Sequence, residues 1–117
     1  MITLKETKEQ IEREPRYWCI HLMNFVDDFR YYKDIRVLAE PFVQSDRRVD
    51  ALLASTAEAL CDELKLTPPQ WLSEIPACSE PYFVGEIEGL KAISVVESPL
   101  RFRMRNIFVL ENFLSRV

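Results

Sequence analysis

The chain has 117 residues, of which 48% are hydrophobic and 29% charged, a composition typical of one soluble globular domain that argues against intrinsic disorder. It contains 2 glycines and no Asn-Gly or Asp-Gly pair, which argues against a fold built from β-hairpins. The net charge of −4 argues against a uniformly basic surface of the kind that nucleic-acid-binding domains carry.

Membrane and secreted classes are also disfavoured. No apolar run approaches the roughly 20 residues that cross a bilayer, and no secretory signal sequence precedes the cysteines. These cysteines, Cys19, Cys61 and Cys78, are odd in number and widely spaced, so we expect no disulfide framework. The sequence therefore predicts a cytoplasmic protein.

Two helices are predicted in the first third of the chain. The segment Thr3-Leu-Lys-Glu6 fits a capping box and predicts a short charged helix up to about Glu12. Pro15 interrupts that helix and suits the first turn of the next one, which we expect over about 15–33. The second helix has a broad apolar surface, which predicts a central helix packed on more than one side. The apolar residues are Trp18, Cys19, Leu22, Met23, Phe25, Val26 and Phe29, with Ile20 opposite.

A third helix follows a connection over residues 34–44. Ser45 or Asp46 is the predicted cap, and the helix is expected over about 46–65. Its predicted buried face is Val49, Leu52, Leu53, Thr56, Leu60 and Leu64. The residues expected to face water are Asp50, Ser55, Glu58 and Asp62.

The second half reads as shorter helices joined by proline-containing segments. Thr67-Pro68-Pro69-Gln70 predicts a helix over about 68–74, with Thr67 as its cap and Pro68 at its first position. A loop over 75–85 and a helix over about 86–97 follow, the latter on the spacing of Ile87, Leu90, Ile93 and Val96.

The C-terminal segment allows two interpretations. Ser98-Pro99 repeats the pattern of a cap followed by proline, so it favours a short helix over about 99–105 with Ser98 as its cap, ended by Asn106 in the left-handed conformation. Ile107-Phe108-Val109 then predicts an extended piece, and residues 111–116 one or two last helical turns. The alternative is a strand over 101–109, because arginines alternate with Phe102 and Met104.

Together these elements predict one all-α domain over residues 1–117. We expect a compact bundle of about five or six helices, with one short extended segment near 107–109. The side chains expected in its core are Trp18, Leu22, Phe25, Phe29, Leu53, Leu60 and Trp71.

Established catalytic and metal-binding patterns are missing from the sequence. His21 is the single histidine, and Cys19, two residues away, would point about 200° round a helix from it. The cysteines show no metal-ligand spacing, and Gly85 and Gly89 do not form a phosphate-binding loop. The acidic clusters at Asp27, Asp28, Glu80, Glu86 and Glu88 fit solvated faces. We therefore predict no catalytic residue, no metal and no cofactor.

The strongest candidate for a binding surface is the C-terminal arginine cluster. Residues 98–117 hold four arginines and one glutamate, a local charge of +3, which leaves −7 on residues 1–97. Arg101, Arg103 and Arg105 offer forked donors for carboxylate or phosphate, and Phe102 and Phe108 could act as apolar anchors. Three roles remain open for the arginines: pairing with the acidic body, contact with a protein partner, or contact with nucleic acid.

The tail Glu97-Ser-Pro-Leu-Arg-Phe-Arg-Met-Arg-Asn-Ile-Phe-Val109 resembles the motif Glu-Ser-Pro-x-x-Phe-Arg-x-Arg-(Asn or Gly)-x-Phe-Val of a family of small bacterial proteins. The resemblance extends to the helix 50–60, the segment Leu66 to Trp71 and the pair Tyr82-Phe83, and covers roughly residues 18–117. Met104 stands where many members have a third arginine. The resemblance implies genes beside nucleotidyltransferase-like or toxin–antitoxin-type genes, and hence a partner-binding or neutralising role.

The leading functional hypothesis is a non-catalytic bacterial interaction protein, the antitoxin-like partner of a neighbouring gene product. Arg101, Arg103 and Arg105 are its expected contacts, with Phe102 and Phe108 as anchors. Two alternatives are a nucleic-acid-binding module that uses the same arginines and a small enzyme that uses a carboxylate pair. Self-association is also open, because the acidic body and basic tail are complementary in sign.

Overall fold

A computed structural model of the protein describes residues 1–84, 95, 97–110 and 113–115. Helices dominate this part of the chain and confirm the predicted all-α bundle. The helices are α1 (Leu4–Arg13), a 3₁₀ turn (Pro15–Tyr17), α2 (Trp18–Tyr32), a 3₁₀ turn (Ile35–Leu38), α3 (Arg47–Leu64), α4 (Gln70–Ser73) and α5 (Leu100–Arg103). The strands are β1 (Tyr82–Phe83) and β2 (Ile107–Phe108). None of the described helices is long and apolar enough to cross a membrane.

Helix α1 begins at the predicted cap. The Thr3 hydroxyl accepts a hydrogen bond from the Glu6 backbone N–H at 3.0 Å and donates one to the Glu6 carboxylate at 3.1 Å. One of the free N–H groups of the first turn is thereby satisfied, which fixes where the helix starts.

Proline at position 15 starts the second helical segment, as predicted, but through a 3₁₀ turn. Helix α2 follows from Trp18 and ends at Lys33, which adopts a left-handed conformation with φ of 53°. Its core-facing side is buried, namely Leu22, Met23, Phe25, Val26 and Phe29. Its opposite side, which includes Ile20 and Tyr31, is exposed. The prediction of a central helix packed on more than one side is therefore wrong for α2.

Helix α3 occupies the centre instead. Asp46 caps it, since its carboxylate accepts from the Val49 N–H at 3.0 Å. Every residue from Asp50 to Glu58 is buried, so this stretch is surrounded by protein on all sides. The expectation that Asp50, Ser55 and Glu58 face water is wrong, and Asp62 alone of the predicted set is exposed. These polar groups are buried because each has a polar partner inside the protein.

A buried ion pair joins α1 to α3. Lys8 is 1% exposed as a residue, and its ammonium group contacts the Asp50 carboxylate and donates to the Val43 carbonyl at 2.6 Å. The other Asp50 carboxylate oxygen accepts from the Ser45 N–H at 2.8 Å. The pair therefore holds the segment that precedes α3 as well as the two helices.

The two short strands form a parallel ladder that pairs Tyr82 with Ile107 and Phe83 with Phe108. Asn106, at φ of 63°, turns the chain into β2 and confirms the predicted left-handed residue. The extended piece expected near 107–109 is thus present over Ile107–Phe108. Strand β1 lies in what was predicted as a plain loop, because a two-residue strand carries no detectable periodicity.

Two predicted caps are wrong. Helix α4 begins at Gln70, with Pro69 and not Thr67 at the cap position, and no side chain caps it. Ser98 does not cap α5; its hydroxyl accepts from the Val109 N–H at 2.8 Å and donates to the Val109 carbonyl at 3.0 Å. Ser98 therefore fastens the end of β2 to the start of the segment that holds α5.

The short C-terminal helix is confirmed over Leu100–Arg103, and the strand alternative over 101–109 is wrong for those residues. The helix predicted over 86–97 and the last turns predicted over 111–116 fall largely outside the described residues.

The predicted core is confirmed for Leu22, Phe25, Phe29, Leu53 and Leu60, which are buried. Trp18 and Trp71 are partly buried and pack against that core. The Trp71 indole N–H donates to the Leu38 carbonyl at 2.7 Å, and its ring meets Phe42 edge-on with centroids 5.3 Å apart. The polar edge of the ring is thus satisfied while its body covers the core.

Truncation of Phe25 to alanine should lower the free energy of unfolding by about 3–5 kcal/mol, because it empties a site that is fully buried between helices. Tyr31→Ala on the same helix, 79% exposed, should change it by less than about 0.5 kcal/mol. Urea denaturation followed by circular dichroism measures both. A Phe25 loss below about 1 kcal/mol would contradict the packing of α2.

Candidate functional site

The three C-terminal arginines begin from neighbouring positions but reach three different environments. Arg101 and Arg103 belong to α5, whereas Arg105 lies in the turn between α5 and β2. Helix α5 packs beside α3, which brings its side chains against the acidic residues near the C-terminal end of α3. The distance of each arginine from those acids determines its role.

Arg105 is an internal residue, 6% exposed. Its guanidinium forms a buried ion pair with Glu58 and reaches the Ser55 hydroxyl at 3.4 Å. It also donates to the Leu72 carbonyl at 2.6 Å and the Ile75 carbonyl at 3.2 Å. Nearly all its donors are satisfied inside the protein, so Arg105 connects α3 to α4 and the residues after α4.

Arg101 lies at the edge of the same network. It binds the Asp62 carboxylate with two parallel hydrogen bonds, 2.8 Å from Nε and 3.0 Å from Nη2. Its Nη1 is 3.7 Å from the second oxygen of Glu58. The hydrogen bonds that Arg101 donates to the Asp62 carboxylate are the main cause that raises the pKa of Arg101. Two guanidinium groups therefore face two carboxylates, and their charges balance.

Arg103 points outward. It is exposed and has no ion-pair partner among the described residues. Its neighbours Leu100 and Met104 are 63% and 62% exposed and lie one turn apart, as i and i+4. These three side chains, Leu100, Arg103 and Met104, form what we call the α5 outer face.

The two phenylalanines of the predicted site do not join that face. Phe102 is fully buried and meets the Phe113 ring edge-on, with centroids 6.1 Å apart. Phe108 is half-buried and stacks on Phe83 across the β ladder at 5.2 Å. The structure thus separates the five predicted binding residues. Arg105 and Phe102 are internal, Arg101 and Phe108 are partly covered, and Arg103 is on the surface.

A surface pocket of about 310 Å³ opens beside the arginine network. Its walls come from α3, α4, the segment after α4, and the region of α5 and its following turn. The lining residues are Glu58, Ser73, Glu74, Ile75, Pro76, Ala77, Arg101, Met104 and Arg105. The volume is at the lower end of the range for small-molecule sites, and the pocket is continuous with the α5 outer face through Met104.

The pocket bears on the hypothesis of a carboxylate-pair enzyme, because both Glu58 and Glu74 line it. Glu58 is already bound by Arg105 and approached by Arg101. The position of Glu58 is therefore that of a structural residue, which holds two guanidinium groups in place.

Sequence reasoning missed the acidic half of the network, although a signal was present. Glu58 and Asp62 are four residues apart on α3, and Arg101 and Arg105 are four residues apart near α5. Because the two acids and the two arginines have the same spacing, the two segments can pair side by side through both charges. The observed pairs run antiparallel, Arg101 with Asp62 and Arg105 with Glu58.

The single histidine and the three cysteines were the other candidates for reactive chemistry. Across residues 1–84 and the shorter described stretches, no group of histidine, cysteine and carboxylate side chains could hold a metal ion. His21 contacts the Glu14 carboxylate at 3.1 Å. Cys19 is exposed, whereas Cys61 and Cys78 are buried, and all three are free. Burial raises the pKa of Cys61 to about 11 and also raises the pKa of Cys78.

Replacement of Arg105 by methionine should lower the free energy of unfolding by about 3–5 kcal/mol, because Glu58 is left buried without its partner. Urea denaturation checks the value, with Arg103→Met as the matched exposed arginine, expected within about 0.5 kcal/mol. The double change Glu58→Met and Arg105→Met should cost less than the sum of its parts. Equal losses for Arg105 and Arg103 would contradict the assignment.

At pH 8 the native protein should expose one rapidly reacting thiol, that of Cys19, to a thiol-specific dye. With its pKa near 11, about one Cys61 thiol in a thousand is ionised at that pH. Three thiols reacting at one rate in the native protein would contradict the burial of Cys61 and Cys78.

The raised pKa of Cys61 also makes stability depend on pH. The folded protein favours the protonated thiol, so the stability contributed by Cys61 should be fully present below pH 9.0 and be lost as the pH rises through about 11.

Comparison of the chain with protein-family models, with curated proteins and with solved structures gave no match in any of the three.

Proposed function

We propose that this protein is a non-catalytic interaction protein that binds another protein through the α5 outer face. The observation that carries the proposal is the exposure of Leu100 and Met104, one turn apart, on either side of the surface arginine Arg103. Methionine and arginine are both enriched in protein–protein interfaces, arginine also among binding hot spots, and Leu100 adds apolar area beside them.

The pocket next to this face extends the contact surface. Met104 belongs to both, and the exposed residues Pro76 and Ala77 continue the apolar surface beyond it. A recess of about 310 Å³ can receive a large side chain from a partner. Docking there would remove Leu100 and Met104 from water, which favours association by about 25 cal/mol for each Å² of apolar surface buried.

The charges indicate the chemistry of the partner. Arg101 and Arg105 are balanced by Asp62 and Glu58, which supports a structural role for them. Of these three arginines, Arg103 is then the one available for a partner carboxylate. The partner segment that best fits the α5 outer face carries an aspartate or glutamate beside bulky apolar side chains.

The resemblance of the tail to the small bacterial family supports the biological setting. It favours a partner encoded by a neighbouring gene, of nucleotidyltransferase-like or toxin-like type, and an antitoxin-like role in which binding neutralises that partner. The balanced arginine network makes nucleic acid the weaker candidate, because phosphate contacts require arginines that are not already paired.

Tagged protein purified from its native host should carry one stoichiometric partner, identified by mass spectrometry. Arg103→Ser, or Leu100→Ser with Met104→Ser, should weaken that complex by at least about tenfold, measured by calorimetry with the purified partner. Arg13→Ser and Val43→Ser are matched controls, an exposed arginine and an exposed valine far from α5 in sequence, and should leave the affinity unchanged.

Three results would contradict this proposal. The protein could purify alone, the complex could survive the α5 variants, or the bound species could be nucleic acid released steeply by salt. If the partner proves toxic when expressed alone, co-expression of the wild-type chain should restore growth and the Arg103→Ser variant should restore it less.

A further inference from the structure

A second, smaller pocket of about 110 Å³ opens between α1, the 3₁₀ turn before α2, the start of α2, α3 and β1. Its lining side chains are hydrophobic, with Ile11, Leu52 and Leu53 buried at its floor and Trp18, Val49 and Tyr82 partly exposed at its rim. An unfilled recess of this kind is costly, because its lining atoms lack contacts that a fitting apolar group would supply. We call it the apolar pocket.

A guanidinium group lies at the edge of this pocket. The Arg48 guanidinium lies over the Tyr82 ring, 5.1 Å from its centroid. Contact with a ring face leaves the N–H donors at the edge of a guanidinium available for other partners. Neither Arg48 nor its neighbour Arg47 has an ion-pair partner among the residues that the structure describes. Because the ring already holds Arg48 in place, an anion that binds it has little side-chain freedom to remove.

Arg48 also connects the apolar pocket to a polar one. A wider recess of about 400 Å³ is lined by Arg47, Arg48, Cys78 and Ser79, together with the two acids Asp46 and Glu80. Because Arg48 lines this recess and contacts Tyr82, which lines the apolar pocket, the two adjoin at that contact. The Asp46 carboxylate is occupied by the N–H of Val49. Glu80 is therefore the acid in the recess that opposes the binding of an anion.

The two adjoining parts specify what they can hold. A dry apolar cavity of about 150 Å³ accommodates benzene, so the apolar pocket accommodates a branched group of about four carbons. The fork of donors on an arginine matches the two oxygens of a carboxylate. A mostly apolar pocket with a few well-placed polar groups is also the usual composition of a small-molecule site.

We propose that the apolar pocket and Arg48 together bind a small branched aliphatic carboxylate, of which isocaproate is the simplest probe. Its branched end fills the apolar pocket, and its carboxylate accepts hydrogen bonds from Arg48. Arg47 adds positive charge from the adjoining recess. A ligand this small makes few contacts, so we expect a dissociation constant of about 0.1–1 mM.

This site is independent of the protein-binding role proposed above. None of the residues that line the apolar pocket belongs to the α5 outer face or to the pocket beside it. Failure of one proposal therefore leaves the other standing.

Titration of the isotope-labelled full chain with isocaproate, up to about 20 mM and followed by two-dimensional NMR, tests the proposal. The chain has two tryptophans, each with one indole N–H signal. The signal of Trp18, which lines the apolar pocket, should shift and reach saturation. The signal of Trp71, whose indole N–H is bound to the Leu38 carbonyl elsewhere in the fold, should not move.

Two further compounds separate the contributions of the branched chain and the charge. Isohexanol has the branched chain without the carboxylate, and it should bind at least about tenfold more weakly, since it forms no charged contact with Arg48. Acetate has the carboxylate without the branched chain, and it should cause no saturable shift of the Trp18 signal.

Four variants assign the roles of the residues, with circular dichroism to verify that each keeps its helices. Arg48→Gln should raise the dissociation constant for isocaproate at least about tenfold, whereas Arg47→Gln, the matched neighbour without a ring contact, should raise it less than about threefold. Val49→Phe should abolish binding by filling the apolar pocket from its rim. Glu80→Gln should lower the constant, because it removes the opposing charge.

Several outcomes would overturn the proposal. Absence of a saturable Trp18 shift up to about 20 mM isocaproate would show that there is no such site. Equal affinity for isohexanol and isocaproate, equal effects of the two arginine variants, or weaker binding by Glu80→Gln would each reject a carboxylate held by Arg48.

Discussion

The C-terminal half of this protein depends on the buried ion pair between Glu58 and Arg105. A guanidinium group enclosed by protein is very unfavourable unless its donors are satisfied, and here they are shared among α3 and two backbone carbonyls, of Leu72 and Ile75. The backbone of Arg105 contributes as well, because its carbonyl accepts from the Cys78 N–H at 2.9 Å. One residue thus fixes α4, the segment leading to β1, and the turn into β2, so these parts order together.

Helix α3 is held by charge at both ends of its buried stretch. Asp50 pairs with Lys8 from α1, and Glu58 pairs with Arg105 from the turn after α5. Between them the helix presents alanines, leucines and small polar residues to its neighbours. Buried ion pairs add little net stability compared with apolar residues of equal volume, but a displaced pair leaves a charge without a partner. The two pairs therefore fix how α1 and α5 are placed against α3, more than they strengthen the bundle.

The helices could be predicted because caps and apolar spacing are local signals. Thr3, Asp46 and Asn106 set boundaries through their own side chains or conformation. The structure places Thr3 and Asn106 as predicted and selects Asp46 from the two predicted caps, Ser45 and Asp46. The environment of α3 could not be predicted in this way. Its acids look like a solvated face until their partners 42 and 47 residues away are known. The placement of the arginines could not be predicted for the same reason. Their spacing was visible in the sequence, but which of them would be buried depended on long-range pairing with Glu58 and Asp62.

The distance along the chain between Glu58 and Arg105 has a consequence for the order of folding during synthesis. Glu58 is made 47 residues before its partner, an interval of about 2–9 s at ribosomal rates of about 5–20 residues per second. During that time α3 can form as a helix and recruit Lys8, which is already present. Its C-terminal half, however, cannot be enclosed without trapping an uncompensated carboxylate. Burial of Glu58 therefore becomes favourable only after Arg105 has been synthesised. The last packing step of the nascent chain depends on this one arginine.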